Sequence, residues 1–159
     1  MIKHTATAIG AITLSAMPVS AYNAASIMLN SELVDAVKAT GTQVVIDSPK
    51  CEERNIYGSY EISREIDRLT ICSKPHGNSV DELTDTIRHE AWHIVQVCNE
   101  GKAIYSLSSL TPYIKDKEVQ FVLDNYPQHQ HHIEIEARVI AAKENETYII
   151  QALRKHCSN

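Results

Sequence analysis

Apolar residues recur along this chain in two alternating periods. Asn30 and Ser31 precede a stretch, 32–40, in which Leu33, Val34 and Val37 fall on one side, and Gly41 follows. That pattern predicts a capped helix ended by glycine. Residues 42–47 (TQVVID) are short and β-branched and read as a strand that Ser48-Pro49 breaks. Residues 55–60 (NIYGSY) predict a second strand with a glycine bend, and 68–73 (RLTICS) a third. Pro75-His76-Gly77-Asn78 reads as loop. The period then changes to that of a helix over 81–100. Ser79 is its cap, Glu82 completes a capping box, Asp81, Glu82 and Asp85 suit the positive end of the helix dipole, and Gly101 stops it. Residues 106–112 read as loop and 115–125 as a helix ended by Pro127. A polar, His-rich stretch, 128–132, leads into a helix over 133–143, and a last helix covers 146–156. A helix, short strands, one long helix and further helices predict an α+β domain, a three-stranded sheet packed on a central helix with helices after it.

Composition adds boundaries to that outline. The 159 residues suit one domain, and an apolar fraction of 43 % suffices for one core. The net charge of −5, with no run of like charges, gives no footing for nucleic acid or an anionic membrane. The first residues stand apart. Lys3 gives a positive start, no charged residue occurs over 5–31, residues 6–17 are modestly apolar, and Pro18-Val19-Ser20-Ala21 ends in small side chains. This is the layout of a secretory signal peptide over 1–21, cleaved after Ala21, and it predicts an exported single domain, 22–159, with no stable membrane insertion once the leader is removed. Export gives the four cysteines a meaning, because an even number in an oxidising compartment predicts disulfides. Of three connectivities, Cys51–Cys72 would close the region of short strands and Cys98–Cys157 would tie the C-terminus to the long helix. A zinc–thiolate site is the rival, but no C-x-x-C pair is present.

The long helix carries the chemistry. His89-Glu90-Ala91-Trp92-His93 reads H-E-x-x-H. With His89 at zero on a helical wheel, His93 falls at about 40° and Glu90 at about 100°. Thr86 and Gln96 flank the histidine pair, whereas Ile87, Ala91, Ile94 and Cys98 gather between about 140° and 200°. Two imidazoles four residues apart can grip one zinc ion, and the glutamate between them can reach a water beside it. A catalytic site needs a third protein ligand and an open position. Glu134 and Glu136 are the candidates. They point about 200° apart, so only one can face the metal. Glu134 is preferred because it shares its face with Ala137 and Ala141, small residues that let two helices approach closely.

H-E-x-x-H followed some forty residues later by Glu134-Ile135-Glu136-Ala137 resembles the glutamate-zincin metallopeptidases, in several branches of which the second motif reads E-x-x-A-D. Here Arg138 stands where that acid would be, a departure that puts in doubt the usual acidic partner of a zinc-binding histidine and leaves the role open to a different group. The resemblance spans two short motifs. It implies a zincin-like fold whose edge strand, 68–73 by position, runs antiparallel to a bound peptide. It also implies His89 and His93 as ligands and Glu90 as general base.

These residues predict an exported zinc metallopeptidase with peptide or protein substrates. Zinc would polarise the scissile carbonyl and acidify a water whose proton Glu90 takes. Tyr113, Tyr126, His129, His131 and His132 are the candidates for oxyanion stabilisation. The competing reading is a disulfide-stapled secreted binding protein with a structural or vestigial zinc site and no turnover.

Overall fold

A computed structural model describes residues 31–53, 56–77 and 79–158. The predicted leader, 1–21, lies outside the described residues. The domain is α+β, with seven helices and a three-stranded sheet among the described residues.

Helix α1, Glu32–Ala39, starts where Ser31 Oγ accepts from the Val34 N–H at 3.3 Å, and it buries Leu33, Val34 and Val37. Gly41, at φ +97°, turns the chain into β1, Gln43–Ile46. Strands β2, Gly58–Ile62, and β3, Asp67–Ile71, follow. The sheet order is β1-β3-β2, with β1 parallel and β2 antiparallel to β3. The third strand is therefore central, and the expectation that 68–73 forms an open edge is corrected. Its apolar content explains the placement. Leu69, Thr70 and Ile71 are all buried, whereas every residue of β2 keeps some exposure. The edge that faces the long helix belongs to β2.

Ser73, expected at the end of the third strand, and Pro75 and His76, expected as loop, belong to one helical turn, α2 (Ser73–His76), before Gly77 at φ +56°. Helix α3, Val80–Cys98, is the long helix. Ser79 Oγ accepts from the Glu82 N–H at 3.2 Å, as its sequence predicts. The Ser79 N–H goes instead to the His76 carbonyl at 3.0 Å, so the capping box is only half formed. The preceding turn supplies the acceptor that the Glu82 side chain was expected to provide.

The segment 106–112 is also more ordered than its composition suggests. It forms α4, Leu107–Leu110, and a 3-10 turn, Thr111–Tyr113. Leu110 is the reason, because it is buried with Val122, Ile135 and Val139 in a small satellite core. Helix α5, Asp116–Asn125, leads through a 3-10 turn at Gln128–Gln130 to α6, His131–Lys143, which takes in two of the histidines expected to lie ahead of it. Helix α7, Glu146–Cys157, is capped by Asn145.

Helix α3 touches β2, β3, α6 and α7. Its Ile87, Ala91, Trp92, Ile94 and Val95 join Leu33, Val37, Leu69, Ile71, Ile149 and Leu153 in the main core. Both expected disulfides are present, Cys51–Cys72 and Cys98–Cys157. No helix among the described residues is long and apolar enough to cross a membrane.

Candidate metal centre

One turn of α3 places His89 and His93 on the same side, and α6 brings Glu134 against them. The His89 Nε2–His93 Nε2 separation is 3.1 Å. Glu134 Oε1 lies 3.4 Å from His93 Nε2, and Oε2 lies 3.5 Å from His89 Nε2. A tetrahedral zinc with bonds of about 2.1 Å sets its ligand atoms about 3.4 Å apart. The imidazole–imidazole separation and the carboxylate oxygen contact at each imidazole lie near that length, and one donor atom from each of the three residues falls within 4.8 Å of the other two. Glu134 Oε2 is also buried without a hydrogen bond of good geometry, and its contact with His89 is electrostatic. Two imidazole nitrogens and one carboxylate form the donor set of a catalytic zinc site, so the residues fit the ion.

The electrostatics follow from burial and mutual proximity. Desolvation holds His93 down at about 4, and repulsion from His89 adds to this. Burial also works to lower His89. The nearby carboxylates, Glu134 first and then Glu90, outweigh it and leave His89 raised. Burial pushes Glu134 up, but the two imidazoles more than compensate and its pKa ends lowered. Glu90 has no such pairing. Desolvation first, joined by the Glu134 charge, pushes it up to about 7 against opposition from His89, the Tyr60 backbone amide and Lys50.

The two acids of α6 part company here. Glu134 faces the imidazoles, and Glu136 is fully buried elsewhere. Glu136 Oε1 accepts from the Ile104 and Tyr105 backbone N–H groups at 2.7 and 2.6 Å. Its Oε2 accepts from Trp92 Nε1 at 3.0 Å and Gln96 Nε2 at 2.7 Å. The Trp92 ring runs nearly parallel to those of both Tyr105 and Tyr148, with ring centroids 6.4 and 6.0 Å away, and the two tyrosine hydroxyls bond to each other. Gln96 reaches back to the site, where its Oε1 lies 2.7 Å from His93 Nδ1.

A family model for a domain of unknown function, DUF8637, matches residues 23–158. The chain belongs to this family. No curated protein and no solved structure gives a significant match.

In this DUF8637 domain the expected oxyanion donors separate. His131 Nε2 is bound to the Tyr126 carbonyl at 2.7 Å and His132 Nε2 to the Tyr105 carbonyl at 2.8 Å, so both hold backbone in place. His129 is exposed, and Tyr113 lies on the surface under the Lys143 ammonium, 3.9 Å from its ring centroid. Tyr126 differs. Its phenol is raised by burial and by the charges of Glu134 and Glu90, and the Arg138 charge opposes the rise. Arg138 rests its guanidinium 4.8 Å from the Phe121 ring centroid. Its charge also bears on His89, His93 and Glu134.

Two features of the site escaped the sequence reading. Gln96 was visible as a flanking residue, but its link to a buried acid forty positions later was not. Gly58 was taken for a strand bend. Its role is close approach. A Cβ there would meet Thr86 Cγ2 at 2.7 Å and Glu90 Cγ at 3.0 Å, so glycine lets β2 lie directly on the helix that carries His89 and His93.

Proposed function

We propose that this domain is an exported, zinc-dependent metallopeptidase of zincin type. The observation that carries the reading is the convergence of His89, His93 and Glu134, with one donor atom from each within 4.8 Å of the other two. The two disulfides support export.

His89, His93 and Glu134 would hold the metal, which when bound supplies Lewis acidity and an acidified water. Glu90 follows His89 on α3 and is buried beside the three donors. It takes the proton of the attacking water and returns it to the departing amine. The neutral phenol of Tyr126, in the field of both Glu90 and Glu134, donates to the developing oxyanion.

The substrate backbone has a natural template in β2. The Cys72 N–H bonds inward to the Tyr57 carbonyl and the Ser63 N–H to the Ile66 carbonyl. In an antiparallel ladder the alternate residues, Gly58, Tyr60 and Ile62, therefore turn their amides and carbonyls to the outer edge. The Tyr60 amide on that edge acts on Glu90. An extended peptide added there would pass alongside the general base.

The test is metal analysis of the purified chain and its Glu90→Gln variant, with turnover measured on casein and a peptide library. The expected result is about one zinc per chain in both proteins, with hydrolysis reduced by about 10²–10⁴-fold in the variant. Stoichiometric zinc without cleavage by the parent would favour a disulfide-stapled binding domain. Absence of zinc from both proteins would sink the reading.

A further inference from the structure

Glu136 meets only donors: the Trp92 indole N–H, the Gln96 amide and the N–H groups of Ile104 and Tyr105. It is thus an acceptor on both oxygens. This decides which way round the Gln96 amide lies, because its nitrogen sits 2.7 Å from Glu136 Oε2 and 3.0 Å from the Ile133 carbonyl. Two acceptors on one side require the NH₂ group there, so the amide oxygen must face His93. That oxygen lies 2.7 Å from His93 Nδ1 and has no hydrogen to give. The proton of the bond therefore belongs to Nδ1. A neutral imidazole protonated at Nδ1 has its lone pair on Nε2, and Nε2 is the atom that points at His89 and Glu134.

We infer that Gln96 is a positioning residue, set by Glu136, which fixes His93 in the one tautomer able to bind a cation through Nε2. The inference rests on the metal reading of the site and adds to it the device that orients the ligand. The relay spans α3 and α6 and occupies the place of a direct carboxylate partner. It accounts for Arg138 standing where such an acid was expected. Gln96 is buried and Glu136 fully so, which shields the relay from competition by water. Partners of this kind are worth about 10–100-fold in metal affinity.

The experiment uses the full chain with both disulfides formed, and has two readouts. Zinc affinity is measured by competition with a chromophoric chelator for the parent and Gln96→Met, and the protonated nitrogen of His93 is read from long-range ¹⁵N–¹H correlations of the metal-free parent. The expected results are a 10–100-fold loss of zinc affinity in a folded Gln96→Met and a parent His93 carrying its proton on Nδ1. Unchanged zinc affinity in a folded Gln96→Met, with only a lower melting temperature, overturns the proposal. So does a parent His93 protonated on Nε2 alone, a result that decides the matter even if the variant does not fold. An Nδ1-protonated His93 in a chain without zinc affinity supports the relay and overturns the metal reading instead.

Discussion

Glu134 and Glu136 stand two residues apart on α6, and their carboxylates serve different ends: one faces His89 and His93, the other is locked into the core by four N–H groups. Their variants should therefore fail in different ways. Glu134→Gln should keep the fold and lose most of the zinc affinity, since an amide is a poor ligand for this ion. Glu136→Leu strands buried donors from Trp92, Gln96, Ile104 and Tyr105, and should cost about 3–5 kcal/mol of stability, as removal of one partner from a buried charged contact does. Urea denaturation and metal analysis of the two variants separate these outcomes. Equal losses of stability would refute the division of labour.

Gly58 offers a test of the edge strand that does not touch a titratable group. A methyl at this position would press on Thr86 Cγ2 at 2.7 Å and on Glu90 Cγ at 3.0 Å. Both atoms belong to one helix face, so β2 must lift or Glu90 must swing. Gly58→Ala should destabilise the domain by about 1–3 kcal/mol, the usual range for overpacking. Its turnover should fall by more than its zinc content does. Wild-type kcat/KM in a folded Gly58→Ala would show that the spacing between β2 and α3 is irrelevant to catalysis.

Tyr126 is the phenol singled out by its surroundings. Burial and the charges of Glu134 and Glu90 raise it above the ordinary tyrosine value, so it remains a proton donor through neutral and mildly basic pH. Tyr126→Phe should lower kcat by about 10²–10³-fold, the scale for loss of one oxyanion donor, with zinc affinity unchanged. Tyr113→Phe, on the surface beneath Lys143, is the matched control and should leave kcat unaltered. A Tyr126→Phe enzyme of full activity would assign the oxyanion contact elsewhere.

Much of this arrangement was legible because short-range periodicity encodes it. Four-residue spacing put His89 and His93 on one face, and the apolar stripe Ile87, Ala91 and Ile94 marked the opposite face as core. The preference for Glu134 over Glu136 rested on small neighbours, and Ala137 and Ala141 are indeed buried. What was not legible depends on distant residues. Whether 68–73 is an edge or a centre depends on β1 pairing across twenty-five positions, from Gln43 to Arg68. A polar-looking segment became helical because Leu110 found a pocket made by Val122, Ile135 and Val139. Glu136 was legible only as the second candidate ligand, since nothing local announces that the Ile104 and Tyr105 amides will converge on it.

The two disulfides should differ in weight and agree in sparing the site. Cys51–Cys72 spans 21 positions and Cys98–Cys157 spans 59. Loop-closure entropy then assigns them about 3 and about 4 kcal/mol respectively. The longer one joins the end of α7 to the end of α3. Without it, α7 is held on α1 and α3 by noncovalent packing, chiefly of Ile149, Ile150 and Leu153 and of Tyr148 against Trp92. Cys98→Ser/Cys157→Ser should accordingly unfold at lower urea than Cys51→Ser/Cys72→Ser. Cys98 also lies on the side of α3 away from His89 and His93, so a folded Cys98→Ser/Cys157→Ser should bind zinc as tightly as the parent. If zinc affinity falls while the variant remains folded by circular dichroism, the geometry of the three donors depends on the C-terminal tether, and α3 is not by itself rigid enough to hold the histidine pair.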